Sequence, residues 1–314
     1  VWLEGARLPG ARLAAADLSG SALSEVDLTG ADLVGANLSR SDLSQANLSA
    51  ADLSGADLQR TRWRGTVLDE QTRIDDKSRL VWEIVNQGAA GRNLQRADLR
   101  LTDLNGADLS GADLSEANLS EANLSEAYLS GADLSEADLK KAFFIRSDLA
   151  SVDLSNSDCQ RADFRWAYLI KARFNGANLS GANLIEANLT KAELKKSNLS
   201  EAFVAWSCFG DNDLSQTHGL DAVKHFGPST IGPTSREVLP QKEQVKPKVE
   251  FEPGETVKCT FTNTKKGKII IEKQTLPDGD GASFSFAGDV SGSLSDGLTA
   301  EQVVIPGTYT STET

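Results

Sequence analysis

The stretch GADLSEANLSEANLSEAYLSGADLSEADL, residues 111–139, places leucine at every fifth position: Leu114, Leu119, Leu124, Leu129, Leu134 and Leu139. Alanine stands two residues before each leucine, at 112, 117, 122, 127, 132 and 137. A period of five fits neither regular element. A helix buries residues at i, i+3, i+4 and i+7, so leucines five apart would spread around its whole surface. A flat strand alternates faces with period two, so they would point to opposite sides in turn. The pattern closes only if the chain turns a corner once per quintet, always in the same sense. Every leucine then points to one axis, and the chain is a solenoid.

The other positions agree. Alanine is small enough to share the crowded interior. Asp or Asn before the leucine, and Ser after it, favour turns and local backbone bonds. Gly, Glu, Lys or Arg ends each quintet, as suits an exposed corner. The central position runs from Leu3 to Leu68, 14 quintets, and from Leu94 to Leu214, 25 quintets. This recurrent A(D/N)LSx resembles the pentapeptide-repeat family. The resemblance implies a right-handed, four-sided β-helix with one quintet per side. Four quintets per coil then make roughly ten coils, a rod of roughly 48 Å at the layer spacing of strands. Leu114 to Leu139, with Phe144, Phe164 and Phe174 at later central positions, form the expected core.

The organisation reads as 1–68, first coil segment; 69–93, insertion; 94–216, second segment; 217–247, linker or cap; 248–314, a separate β domain. Leu68 and Leu94 are 26 apart, five fives plus one, so the phase slips. Within the insertion, DDKSRLVWEIVNQG predicts a helix over about 76–87, capped by Asp75 or Asp76 and ended at Gly88. Leu80, Val81, Ile84 and Val85 form its apolar stripe, and Arg79 is spaced to pair with Glu83. The helix is expected to pack on the coil; a partner-binding helix or hinge is the alternative. After 216, Leu220, Val223 and Phe226 are the expected cover of the last coil.

From about Lys248 the texture changes to KVEFEP, TVKCTFTNT, KIIIEKQ and SFSFAG, which read as strands. This tail resembles the prealbumin-like (SpaA-like, collagen-adhesin B-type) domains of bacterial surface proteins, and implies a small, incomplete β-sandwich. In that family some domains form a Lys–Asn isopeptide bond promoted by a Glu. The resemblance places Lys273 as the amine and Glu313 as the acid, with the Asn on a last strand that this chain lacks. Asn263 matches it in the preceding copy, and residues 256–263 are expected to fold back as the missing strand. An exposed Lys273 is the competing reading.

No constellation for catalysis is present, and no cofactor or metal is expected. His218 and His225 lie seven apart with no acid or Cys at ligand spacing. Cys159 is central, hence a small core residue, and Cys208 precedes central Phe209. PDGDG at 277–281 reads as a hairpin turn, since Ala282 breaks a calcium-loop pattern. No apolar run is long enough for a transmembrane helix. The absence of Met and the start within a repeat imply natural sequence before Val1, and the tail stops short of its family's last strands. ANLS sequons along a packed coil favour a bacterial origin.

Surface columns stand out instead. With four quintets per coil, Trp166 and Trp206 share a column, as do Phe143 and Phe203 beside it, and Tyr128 and Tyr168 on the next side. Arg146, Arg165, Lys171 and Lys191 lie close by. Aromatics beside cations make a candidate protein-binding patch. The alternative is that they cover the end of the rod or pack under the linker.

The chain has net charge −13, which argues against nucleic-acid binding. Residues 1–68 carry −2, residues 91–139 carry −7 and residues 140–216 carry +1. The expectation is a non-enzymatic interaction scaffold, with the tail suggesting an adhesin-like protein at the cell surface or secreted; a cytoplasmic location is the alternative. Some pentapeptide-repeat proteins mimic B-DNA and bind a topoisomerase, a second reading. DNA carries one charge per ~1.7 Å, so a rod of ~48 Å would need roughly 28 negative charges, far more than this coil has. A third reading is an accessory region of a larger enzyme.

Overall fold

The computed structural model describes residues 1–227 and 229–231, and beyond them the backbone of six strands between Lys258 and Glu313. It divides into two units, Val1–Val245 and Lys246–Thr314.

In the first unit, the residue before each central position pairs in parallel with its equivalent four quintets on, as Asp113 with Asp133 and Asn183 with Phe203. The coil therefore has four sides, one quintet to each. The central N–H donates to the next coil, from Leu114 to the Asp133 carbonyl at 2.7 Å, and so does the corner N–H, from Glu116 to Ser135 at 2.9 Å. Each corner is a turn in which the Ala117 N–H, for example, donates to the Leu114 carbonyl at 3.0 Å. Its third residue takes φ > 0, +58° at Glu116, as a type II turn requires. That conformation costs an ordinary residue roughly 1–2 kcal/mol; the stacked bonds hold it in place.

The D/N-L-S signature has a local cause. Oδ1 of Asp113 accepts the Ser115 hydroxyl at 2.6 Å and the Ser115 N–H at 3.0 Å. Asn118 does the same for Ser120. The hydroxyl, then the N–H, hold the carboxyls of Asp27 and Asp113 below their usual value. A depressed folded-state value contributes stability that is present above the unfolded value and lost as pH falls through the folded one. The coil is therefore expected to melt at lower temperature at about pH 3 than at about pH 7. Circular dichroism melts check this, and equal midpoints would contradict it.

The six leucines from Leu114 to Leu139 are fully buried, each with its alanine. The Phe144 and Phe164 rings stack at 5.0 Å, and Phe174 meets Phe164 edge-on from the opposite side at 6.1 Å.

The break resolves into two events. Arg73 pairs with Asp52, one position beyond the regular step, so one extra residue sits in the corner at Asp69–Thr72. Asp69 Oδ1 there accepts the N–H groups of Gln71 and Thr72. The coil thus runs on past 68 to Ile74. It resumes at Ala89, whose N–H donates to Asp108 at 2.8 Å as a central residue does; alanine at a central position hides that restart in the sequence. Helix α1, Asp76–Gln87, lies between, capped by the Asp75 side chain on the Ser78 N–H. It buries Val81 and Ile84 in the core. It also satisfies the open edge of the coil: Asn86 accepts the Gly65 N–H at 2.7 Å and donates to the Trp63 carbonyl, and the Trp82 indole donates to Thr66. The expected Arg79–Glu83 pair does not form. Arg79 donates to the Thr72 carbonyl and Glu83 pairs with Arg92 at 2.9 Å, because both reach the coil instead of each other.

At the second end the backbone ladder runs on past the last quintet at 216. Strands β1 (Phe203–Val204) and β2 (Cys208–Phe209) pair in parallel with β3 (Lys224–His225) and β4 (Thr230–Ile231), so the coil continues to Ile231 without quintets. A 3-10 turn at Leu220–Ala222 takes up the extra residues. Leu220 and Val223 pack on the core. Phe226 does not cover the end: it is exposed and stacks on Phe203 at 5.8 Å, since its N–H is tied to the Val204 carbonyl on the outer edge. Both segments announce their last coil by polar residues in the alanine position. Thr61, Thr66 and Thr72 donate to the carbonyls of Leu38, Leu43 and Leu48, and Ser207, Asn212 and Thr217 to those of Leu184, Leu189 and Leu194.

Gly219 sits at φ +74°, where a Cβ would lie 2.5 Å from the Ser200 amide nitrogen. Gly219→Ala is expected to destabilise the end coil by roughly 1–3 kcal/mol. Faster amide exchange at Leu199 and Glu201 would report it, and unchanged exchange would contradict it.

The second unit holds β5 (Lys258–Asn263), β6 (Gly267–Glu272), β7 (Ser283–Gly288), β8 (Gly292–Ser295), β9 (Thr299–Val304) and β10 (Gly307–Glu313). One sheet has the order β5-β10-β7-β8, and β6 pairs with β9. β5 pairs antiparallel with β10, Asn263 opposite Gly307. Lys273 lies outside the described residues, and Glu313 is described by its backbone alone, opposite Phe286 on β7.

Candidate interaction face

Two adjacent sides of the second segment carry the aromatic columns. Side 3 has central residues Leu104, Leu124, Phe144, Phe164, Leu184 and Val204. Side 4 has Leu109, Leu129, Leu149, Leu169, Leu189 and Phe209. The corner from side 3 to side 4 reads Glu126, Arg146, Trp166, Glu186, Trp206 along the rod, all exposed. Side 4 presents Tyr128 and Tyr168, both more than half exposed, with Asp148 bridging between them in the ladder. Phe143 opens on side 3. Lys171 and Lys191 occupy the far corner of side 4.

The cations gather on Trp166. The Arg146 guanidinium lies 5.4 Å from its ring centre and that of Arg165 lies 5.5 Å away. Asp163 holds Arg165 through paired bonds of 2.7 Å and 2.9 Å, which also raises the arginine's pKa. A cation near an indole contributes about 0.5–1 kcal/mol at an exposed site, so the pair orders the corner. Phe203 is different: Phe226 stacks on it and the Lys224 ammonium lies 5.0 Å from its ring. Gly227 approaches the Trp206 ring closely enough that a Cβ would meet it at 3.0 Å. The C-terminal end of the coil thus lies over Phe203 and against one edge of Trp206, which stays exposed, and leaves Tyr128, Phe143, Trp166 and Tyr168 open. Sequence reasoning missed Glu186, Ile170 and Lys224 and gave Phe226 another place; a step of one coil from Trp166 finds the first, while Lys224 and Phe226 lie beyond the repeats.

Elsewhere chemistry is sparse. A cleft of about 390 Å³ opens beside α1, lined in part by Asp57, Leu58, Lys77, Val81 and Asp103. Burial pushes the Asp103 carboxyl up. Cys159 is buried and its thiol is pushed up to about 12 by desolvation, so it is not a nucleophile. Cys208 is half-buried against Thr190 at 3.2 Å. Among the described residues, no cluster of three or more His, Cys, Asp or Glu could hold a metal, and no helix is long and apolar enough to cross a membrane.

The family model for pentapeptide repeats matches eight copies, covering residues 6–45, 46–70 and, in overlapping stretches, 90–216. The chain belongs to the pentapeptide-repeat family. Its coil is accordingly the right-handed β-helix of a repeat scaffold. Among solved structures it is similar to HetL, a pentapeptide repeat protein involved in heterocyst differentiation regulation from the cyanobacterium Nostoc sp. strain PCC 7120, at 29% identity over 74% of this chain and 92% of that one, TM-score 0.33. It is similar also to a pentapeptide repeat protein of the Arabidopsis thaliana thylakoid lumen, 33% identical over 31% of this chain and 71% of that one, TM-score 0.26. QnrB1, a plasmid-mediated fluoroquinolone resistance protein, matches at 18% identity over 72% and 89%, TM-score 0.39. A comparison with curated protein sequences gives no match. The pentapeptide-repeat match stops at 216, so the aromatic corner lies within the repeats and the segment that covers Phe203 lies outside them.

Proposed function

We propose that this pentapeptide-repeat chain is a non-enzymatic interaction scaffold whose docking face is side 4 with its two corners. The observation that carries this is the concentration of exposed aromatics: Tyr128, Trp166 and Tyr168 stand together beside Arg146 and Lys171, with Phe143 on the adjoining side. Other exposed large apolar side chains stand at the two ends of the coil, Val1 and Trp2 at one and Trp206 and Phe226 at the other, or singly, as Val34 and Val67 do. Aromatic and arginine side chains are the groups that anchor protein interfaces. A photo-crosslinking amino acid at Tyr168, compared with one at Ser180 on the opposite side, tests the reading in the native cell. Discrete adducts from 168 and none from 180 are expected. Equal labelling, or none at either position, rejects the docking face.

The prealbumin-like resemblance of the tail supports placing the chain at a bacterial cell surface, as an adhesin-like protein. Protease shaving of intact cells should then release peptides from both units, and protection of both would reject that placement. The surface charge supports a protein partner more than mimicry of DNA. The acidic coils are confined to 91–139, and Arg96 and Arg60 already pair with Glu116 and Glu121 there.

A further inference from the structure

We infer that the occupant of side 4 is a second copy of this chain, lying antiparallel, with the two-fold axis along the coil row Trp166, Tyr168, Ile170. The inference rests on the docking-face reading and adds the partner. In a two-fold contact each residue meets its symmetry partner, so a face must be complementary to its own reverse. Rotation about that row places Trp166, Tyr168 and Ile170 each against its own copy, which puts an apolar line at the centre. It carries every residue one coil before the row onto one coil after it. Arg146 stands one coil before Trp166 and Glu186 one coil after, both exposed on the same corner. Within one rod the tryptophan column keeps them two coils apart, about 10 Å at the usual layer spacing. In the antiparallel pair Arg146 faces Glu186 of the other copy, and the contact occurs twice. A parallel arrangement, with the axis along the rod, keeps Arg146 and Glu186 at different levels and never brings them together.

The face also sets the strength. Two layers pair on either side of that row, from Leu129 to Phe209, so the contact is about 24 Å long at ~4.8 Å per layer. One side of a coil is narrow, which places the interface at the small end of the size range and makes the dimer concentration-dependent. Lys171 meets its own copy at the rim, where water and salt screen the repulsion.

Sedimentation velocity of the full chain across a concentration series tests the inference. A monomer–dimer equilibrium is expected. Arg146→Glu and Glu186→Arg should each weaken it by roughly tenfold or more, and the combined variant should recover most of the loss. Both substitutions are at exposed corners, and far-ultraviolet circular dichroism verifies the fold. A chain that stays monomeric overturns the inference, and so does a double variant as weak as the singles. The crosslinker at Tyr168 separates the two levels. An adduct of twice the chain mass supports the second copy. A monomeric chain with an adduct of another mass overturns the second copy and leaves the docking face standing; a monomeric chain with no adduct overturns both.

Discussion

Replacing Phe164 by alanine is expected to lower the unfolding free energy of the coil unit by about 3–5 kcal/mol. The side chain is fully buried, stacked on Phe144 and met edge-on by Phe174. In a globular core, neighbours can move into a void. Here they cannot, because parallel backbone bonds hold each layer at a set spacing, Phe144 N–H to Asp163 at 2.7 Å and Phe164 N–H to Asn183 at 2.7 Å. The cavity therefore stays open and the loss falls at the upper end for its type. Phe164→Leu should cost less than about 1.5 kcal/mol, since Leu124 and Leu184 fill the same column. Urea unfolding followed by circular dichroism measures both. A loss under about 1 kcal/mol for the alanine variant would show that the coils do collapse.

The second large effect is expected at the break. Ile84→Ala should cost about 2–5 kcal/mol and split the unfolding of the coil into two transitions. Ile84 is fully buried, and α1 supplies the contacts that a missing layer would have made. A solenoid is stable through nearest-neighbour interfaces, so weakening one interface uncouples what lies on either side. The direct links that remain are few: the Arg60 N–H to the Leu101 carbonyl, and Arg60 with Glu121 at 2.7 Å. Calorimetry distinguishes the outcomes. A single transition at the parent temperature would mean that α1 only decorates the rod.

The repeats were legible from Leu3 to Leu214 because a coil repeats one problem. Each quintet must bury one large and one small side chain, turn a corner and bond its turn, and A(D/N)LSx answers all four needs locally. The same locality explains what was lost. Ile74 and Ala89 belong to the coil but break the pattern, one by an extra corner residue, the other by its small side chain. Arg79 and Glu83 are spaced to pair on a lone helix, yet each finds a better partner on the coil. Phe226 is apolar and near the end, but its backbone is tied to the outer edge of Val204.

For the candidate face the division is similar. A step of one coil sufficed to set Trp166 and Trp206 in one column and Tyr168 on the neighbouring side. It could not show that Phe203 is shared with Phe226 and Lys224, or that Asp163 holds Arg165 beside the indole. Period, sides and core follow from local rules that recur with every quintet, so sequence alone determines them. How the helix seals the break, where the coil truly ends and which aromatics stay open depend on groups brought together from unrelated stretches. Those were decided only when backbone edges without a repeat to pair with took whatever donors and acceptors the rest of the chain could bring to them.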